Sequence, residues 1–329
     1  MSITSQRVFT IHPKQDPTVP LPERLRQLLV DQRRSWRDLA DGYDALSAVK
    51  TRTVDCSSYS VKLQFNPRRI TSTNARVDEK SIKMRRCFLC IENLPDDQRG
   101  VLYHDYFLVL CNPAPIFDGH FTISHVRHTE QSLGSYVADF LDLARELSPS
   151  YTVFYNGPKC GASAPDHMHF QACPAGVLPV ETLSTDESRR VSIRKEDNLS
   201  FLTLRDLGRQ VILIESPEKA KCELAVRRLL EAMQKVLRLT EEPMVNVLGT
   251  FADGLWRIIV LPRSKHRPDV YFRQGDDKVM ISPAAVDLGG LIITPMEKDF
   301  LSVDAPMVEG IFAEVSLEAS VVSQILDAC

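Results

Sequence analysis

The chain has 329 residues, with 40 Lys and Arg against 43 Asp and Glu and a formal net charge of −3. That balance excludes a protein that coats nucleic acid through a general basic surplus, although a few local cations can still hold one phosphate cluster. Apolar residues make up 43% and charged residues 25%, an ordinary globular composition, and no apolar run reaches the roughly 18 residues of a membrane span.

Met1–Arg7 lacks the apolar core of a signal peptide. The eight cysteines are scattered except for one close pair. The expectation is a cytoplasmic protein with reduced thiols. Residues 21–50 carry Leu25, Leu28, Leu29, Trp36, Leu39 and Leu46 near helical spacing, which predicts an amphipathic helical segment. Residues 59–65 alternate polar and apolar and predict a strand that Asn66-Pro67-Arg68-Arg69 ends. A polar stretch runs on to about residue 86, followed by Cys87-Phe88-Leu89-Cys90. Residues 106–110 and 120–124 predict short strands, 131–147 a helix and 151–155 another strand. A loop with Gly157, Gly161 and Pro165 leads into a strand expected to carry His167 to Cys173. After about residue 180 the pattern restarts: a strand over 211–215, a helix over 218–239, strands over 245–249 and 256–261, and a polar loop over 264–278. Phe121–Ser124 followed by His128 echoes Ile258–Pro262 followed by His266, which hints at a duplicated α+β unit.

Three features carry chemistry. On a strand, His167, His169 and Gln171 share one face, with Met168 and Phe170 turned to the core. A bare His-x-His pair is more often a pair of structural histidines. Here the preceding Asn156-Gly157-Pro158-Lys159-Cys160-Gly161-Ala162-Ser163 adds glycines, a hydroxyl and a cation suited to phosphate. A neutral imidazole can attack phosphorus, and the Gln171 amide can hold a phosphate oxygen. The Cys87-x-x-Cys90 spacing suggests half of a zinc site, with His104, His120, His125, His128 and His167 as further candidates; a redox pair, which lacks a thioredoxin-like strand-to-helix context here, and a reduced, unliganded pair are the competing readings. Asn66, Arg68 and Arg69 could bind phosphates or a base, or simply end a strand in solvent. Arg263-Ser264-Lys265-His266-Arg267 is a basic run of a kind that is usually solvated surface but could also meet an anionic substrate, and His12 is assigned no role.

These residues resemble the branch of the histidine triad superfamily that holds galactose-1-phosphate uridylyltransferase and diadenosine tetraphosphate phosphorylase (ATP adenylyltransferase). Cys87–Cys90 looks like the uridylyltransferase zinc cysteines. Asn112–Phe117, His120–Ile123 and His128 look like the superfamily's first strand pair. Gly161–Ser163 with His167–Gln171 looks like its catalytic segment, and Val260–Ser264 is similar to the C-terminal half of the phosphorylases. The resemblance implies an α+β fold of two histidine-triad-like halves, each an antiparallel sheet with packed helices. The expected division is an N-terminal helical segment over 1–55, a catalytic half over 56–180 and a second half over 181–329. It further implies His169 as the nucleotidylated nucleophile with Gln171, and Zn2+ held structurally by Cys87, Cys90, His128 and His167. Asn66, Arg69, Asn156, Gly161 and Ser163 would meet nucleotide or phosphate. The run from Ser163 to His167 is one residue longer than the family's usual spacing. Gln171 stands where triad hydrolases carry a third histidine, which by analogy favours transfer over hydrolysis.

The expected activity is adenylyl transfer through a nucleotidyl-histidine among ATP, a dinucleoside polyphosphate and phosphate. The alternatives are a nucleotide-sugar uridylyltransferase or phosphorylase, and a non-catalytic nucleotide binder. The expected partners are nucleotides and phosphate-bearing small molecules, with no nucleic-acid polymer and no membrane; a homodimer is left open.

Overall fold

The computed structural model describes residues 6–75 and 77–329. The first five residues of the Met1–Arg7 and 1–55 segments lie outside them.

The chain is α+β. Its strands are β1 (Val8–His12), β2 (Lys50–Asp55), β3 (Ser60–Phe65), β4 (Gly100–Tyr103), β5 (Phe107–Cys111), β6 (Phe121–His125), β7 (Tyr151–Asn156), β8 (His169–Pro174), β9 (Arg190–Glu196), β10 (Leu199–Leu204), β11 (Ile212–Ser216), β12 (Val245–Ala252), β13 (Leu255–Pro262) and β14 (Leu291–Thr294). The main helices are α1 (Leu21–Ser35), α2 (Arg37–Leu46), α3 (Val137–Leu147), α4 (Lys219–Leu237), α5 (Ala305–Val315) and α6 (Ala319–Ala328). The expected helical segment over 21–50 is thus two helices. Trp36 breaks them with extended backbone at φ −126°, ψ 105°, and Lys50 already opens a strand.

An eleven-stranded sheet runs in the order β1-β4-β5-β6-β8-β7-β12-β13-β11-β10-β9, and a small sheet in the order β14-β3-β2. The large sheet is a duplication. β4-β5-β6-β8-β7 and β9-β10-β11-β13-β12 have the same strand order, with α3 and α4 in corresponding places between their third and fourth strands. The registers of the inner strands agree. Ser124 pairs with His169 as Glu215 pairs with Arg257, and Phe154 pairs with Gln171 as Leu248 pairs with Ile259. The repeat hinted at by the sequence is therefore present, but its correspondence is different. Phe121–His125 matches Ile212–Ser216, and β13 matches β8, so the sequence echo that set Phe121–Ser124 against Ile258–Leu261 joined non-equivalent strands.

The halves meet through antiparallel pairing of β7 with β12. The small sheet ties late chain to early chain, since β14 runs parallel to β3. The expected boundary at 180/181 falls within a short helix, Pro179–Leu183. One core layer packs α1, α3 and α4 on the large sheet, with Phe140, Phe170 and Val247 among its buried side chains. A second layer lies on the opposite face, where Phe154, Leu248 and Ile259 meet the small sheet and α5. His12 has a structural place: its Nε2 lies 2.8 Å from Glu146 Oε2 of α3, which ties β1 to the helix layer.

Candidate active site

β8 begins at His169, not at His167, so strict alternation covers only His169 and Gln171. His167 precedes the strand and faces a different cluster. Met168 and Phe170 are fully buried, as the alternation predicts.

His169 and Gln171 line a cavity of about 670 Å³ on the small-sheet face, together with Arg69, Asn156, Gly161 and Ser163. The sequence-predicted set thus comes together, with one exception. Asn66 is buried beside the cavity and is not among its lining residues. Its amide donates to Gln64 Oε1 at 3.2 Å and to the Pro115 carbonyl at 3.1 Å, which fixes the 112–117 loop.

The tautomer of His169 follows from its partners. Nδ1 lies 2.8 Å from the His167 carbonyl, and a carbonyl can only accept. The proton therefore sits on Nδ1, and the Nε2 lone pair is left without a protein partner among the described residues. Burial lowers the pKa of this ring to about 4, so it is neutral at physiological pH. Gln171 is oriented in the same way. His120 Nε2 lies 3.0 Å from Gln171 Oε1, while His120 Nδ1 accepts from the Ile116 N–H at 3.3 Å. His120 therefore donates through Nε2, and the Gln171 NH2 is left for the cavity. Burial, then the charge of Arg69, pushes His120 down to about 3.

Asn156 is held by its oxygen, which accepts from Asn246 Nδ2 at 2.7 Å and from the Ala285 N–H at 2.9 Å. Its NH2 is the group left to meet a ligand. Gly161 has φ +90°, and a Cβ there would come within 2.6 Å of Ala284 Cβ; only glycine lets this loop close on the second half. Ser163 is half-buried, with its carbonyl accepting from Arg85 at 2.8 Å.

The charges around the cavity are mostly positive. The Arg69 guanidinium donates to the Ala114 carbonyl at 2.8 Å, and burial lowers its pKa only to about 10, so it stays charged. Arg85 and Arg267 also line the cavity, against one carboxylate, Asp287. The Asp287 pKa is raised to about 6 by burial, with its oxygens accepting from Ala284 N and Ile293 N. Arg85, Asp287 and the supporting Asn246 were not selected from the sequence. Arg267 and His266 of the basic run 263–267 do line the cavity, as the anionic-substrate reading of that run allows, and the run is not a solvated patch. Arg263 is buried with five hydrogen bonds to Val315, Asn246, Pro283, Lys265 and His266. Lys265 pairs with Asp269 and Glu314.

Beside the cavity, Cys87, Cys90, His128 and His167 bring one donor atom each within 4.8 Å of one another. Cys87 Sγ lies 3.3 Å from His167 Nδ1, and Cys90 Sγ lies 3.2 Å from His128 Nδ1 and 3.7 Å from His167 Nδ1. A tetrahedron built on zinc–ligand bonds of about 2.0–2.3 Å has edges of roughly 3.6 Å, so the donor set fits a metal ion. The outer contacts agree. His167 Nε2 lies 2.7 Å from the His125 carbonyl, leaving the Nδ1 lone pair toward the cysteines, and His128 Nε2 lies 3.4 Å from Asp166 Oδ2. Such partners orient imidazole ligands. His104, His120 and His125 do not join the cluster; His104 stacks on Tyr103 with ring centroids 4.0 Å apart.

The fold that carries this cavity is similar to that of a solved yeast enzyme. The crystal structure of yeast Ap4A phosphorylase Apa2 superposes with a TM-score of 0.56 at 17% identity, over 89% of this chain and 94% of that one. Its complex with AMP gives 0.55 at 19% identity, over 89% and 96%; its complex with Ap4A gives 0.53 at 18%, over 89% and 97%. The histidine triad resemblance read from the sequence fits this shared fold. Residues 28–174 match a family described as a domain of unknown function, DUF4922. No curated protein matches the sequence significantly.

Proposed function

We propose that the protein is a nucleotidyltransferase that carries a nucleoside monophosphate on His169, and that its reaction is of the Ap4A phosphorylase (ATP adenylyltransferase) kind. The observation that carries this reading is the state of His169: neutral, with Nδ1 committed to a carbonyl and Nε2 facing a cavity rimmed by guanidinium groups. Nε2 attacks the α-phosphorus and forms an N–P bond. The bond to the bridging oxygen breaks, and the leaving phosphate departs with the electron pair. It needs no proton from the protein, which suits an amide at Gln171 rather than an acid. The NH2 groups of Gln171 and Asn156 donate to phosphate oxygens, with Arg69 supplying charge. An acceptor phosphate oxygen then attacks the same phosphorus and frees Nε2. The yeast protein of the same fold has been crystallised with AMP and with Ap4A, which supports an adenylyl group at the fold level.

Zinc is the ion we assign to Cys87, Cys90, His128 and His167, in a structural role, since four protein ligands close the site. The same cluster favours a second reading, transfer or phosphorolysis of a nucleotide-sugar, because the resemblance places such cysteines with the sugar enzymes. We assign the protein to the cytoplasm. Its cysteines are free, and among the described residues no helix is long and apolar enough to cross a membrane.

The test is intact-mass spectrometry after incubation with Ap4A, ATP, GTP, UDP-glucose and a GDP-hexose. We expect one nucleoside monophosphate adduct, largest with the adenine substrates and absent in His169→Ala. An adduct formed only by a nucleotide-sugar selects the second reading. No adduct with any substrate leaves a nucleotide binder and overturns the transferase.

A further inference from the structure

The ladder between β7 and β8 stops short of the nucleophile. Its last pair is Phe154 with Gln171. Continued in register, the next such position would set Asn156 against His169, but a side chain stands there instead. Gln131 Nε2 donates to the Asn156 carbonyl at 2.9 Å and to the His169 carbonyl at 3.1 Å, and the His169 N–H donates to Gln131 Oε1 at 2.7 Å. Gln131 is 1% exposed. Its amide takes the place of a peptide group between two strands and satisfies backbone polar atoms that would otherwise be buried without partners.

The second half shows what the same position does without this residue. There Thr250 pairs with Arg257, the equivalents of Asn156 and His169, and pairing continues to Ala252 with Leu255. A two-residue turn closes it, with Asp253 at φ 54° and Gly254 at φ 75°, the conformation of a tight hairpin. The two halves also differ in the loop that delivers Gln131. Residues 126–136 separate β6 from α3, whereas only 217–218 separate β11 from α4.

We propose that Gln131 is a positioning residue that wedges β7 from β8 at His169 and holds open the gap in which the His169 imidazole and the Asn156 amide meet substrate. The kinetic part of the test rests on the nucleotidyl-transfer reading; the structural part does not.

Gln131→Leu keeps a similar shape without the three hydrogen bonds. The His169 amide should then exchange with solvent at least about tenfold faster. The rate of adduct formation at saturating nucleotide should fall roughly 10- to 100-fold, the scale of a displacement of about 1 Å at a reacting group. Gln131→Glu keeps the volume and the acceptor for His169 N–H, but sets a second oxygen against two carbonyls. Only its protonated form can donate there. Relative to wild type, its rate should therefore recover between pH 8 and pH 6, while the Leu variant shows no recovery. A Leu variant with wild-type rate and unchanged His169 amide exchange would overturn the wedge. So would a folded Glu variant with the same deficit at both pH values. If the wild type forms no adduct with any nucleotide, the transferase reading fails, and amide exchange alone decides on Gln131.

Discussion

His120 shows how one buried imbalance sets both orientation and pH response. Its ring is fully buried and spends both nitrogens, one on Gln171 and one on the Ile116 N–H. The unfolded imidazole takes a proton near pH 6.5, whereas the folded ring resists until about 3. Between those values the unfolded chain binds more protons. The linked stability is therefore fully present above pH 6.5 and is lost as pH falls toward 3. The slope from one such group is at most about 1.4 kcal/mol per pH unit. Urea unfolding at pH 7, 6, 5 and 4 should accordingly show a shallower loss for His120→Asn than for wild type; an equal slope would remove His120 from this account. Gly161→Ala should destabilise the chain by on the order of 1–3 kcal/mol, because the position is left-handed and its Cβ would strike Ala284. Wild-type melting of that variant would count against the close approach. At this scale the sequence was informative where chemistry is carried by residue type. His169, Gln171, Asn156, Gly161 and Ser163 all reach the cavity. It was silent on partners from distant segments. Nothing near Asn246 or Ala285 announces that their N–H groups will fix the Asn156 oxygen.

Elements were legible where periodicity is long and misread where loops do the work. The expected helix over 218–239 and strand over 256–261 nearly coincide with α4 and β13. The expected helix over 131–147 begins only at Val137, because residues 131–136 belong to the loop that places Gln131 against β8. β1, β2, β4, β9, β10 and β14 were not foreseen: β9 is an edge strand with mostly exposed side chains and so little apolar alternation, and β14 finds its partner, β3, far off in sequence. The metal cluster joins three such loop segments: Cys87 with Cys90, His128, and His167 just ahead of β8. Those segments have few regular hydrogen bonds between them, so a bound ion would carry much of their order. Metal analysis should give about one zinc per chain, and Cys90→Ser should lose it and melt lower by on the order of 5–10 °C. Protein purified without chelator that contains no metal, or a Cys90→Ser variant of unchanged melting temperature, would sink the zinc assignment.

At the scale of the whole molecule, the duplication separates scaffold from function. Both halves keep the five-strand order and the register of the inner strands, yet two connections are long in only one. Residues 126–136 and 157–168 stand where the other half has 217–218 and 253–254. Those two loops carry His128, Gln131, Gly161, Ser163 and His167. At the position of His169 the second half has Arg257, a guanidinium with no nucleophilic lone pair, which is paired with Glu215. The second half instead serves as a wall. Ala285 and Asn246 hold Asn156, Ala284 packs on Gly161, and Arg267 and Asp287 line the cavity. The first half folding alone would lose each of these, along with the β7–β12 pairing and the β14 partner of β3. Buried side chains of both core layers also come from both sides of residue 180, as with Phe170 and Val247, or Phe154 and Ile259. Cutting there would expose apolar surface on each fragment and leave β7 and β12 as unpaired edges. We therefore expect a single calorimetric transition with matching calorimetric and van't Hoff enthalpies. Fragments 1–180 and 181–329 should each lack cooperative unfolding when expressed separately. Two resolved transitions, or a fragment 1–180 that melts cooperatively and still forms the His169 adduct, would show that the halves are independent and that the wall is dispensable.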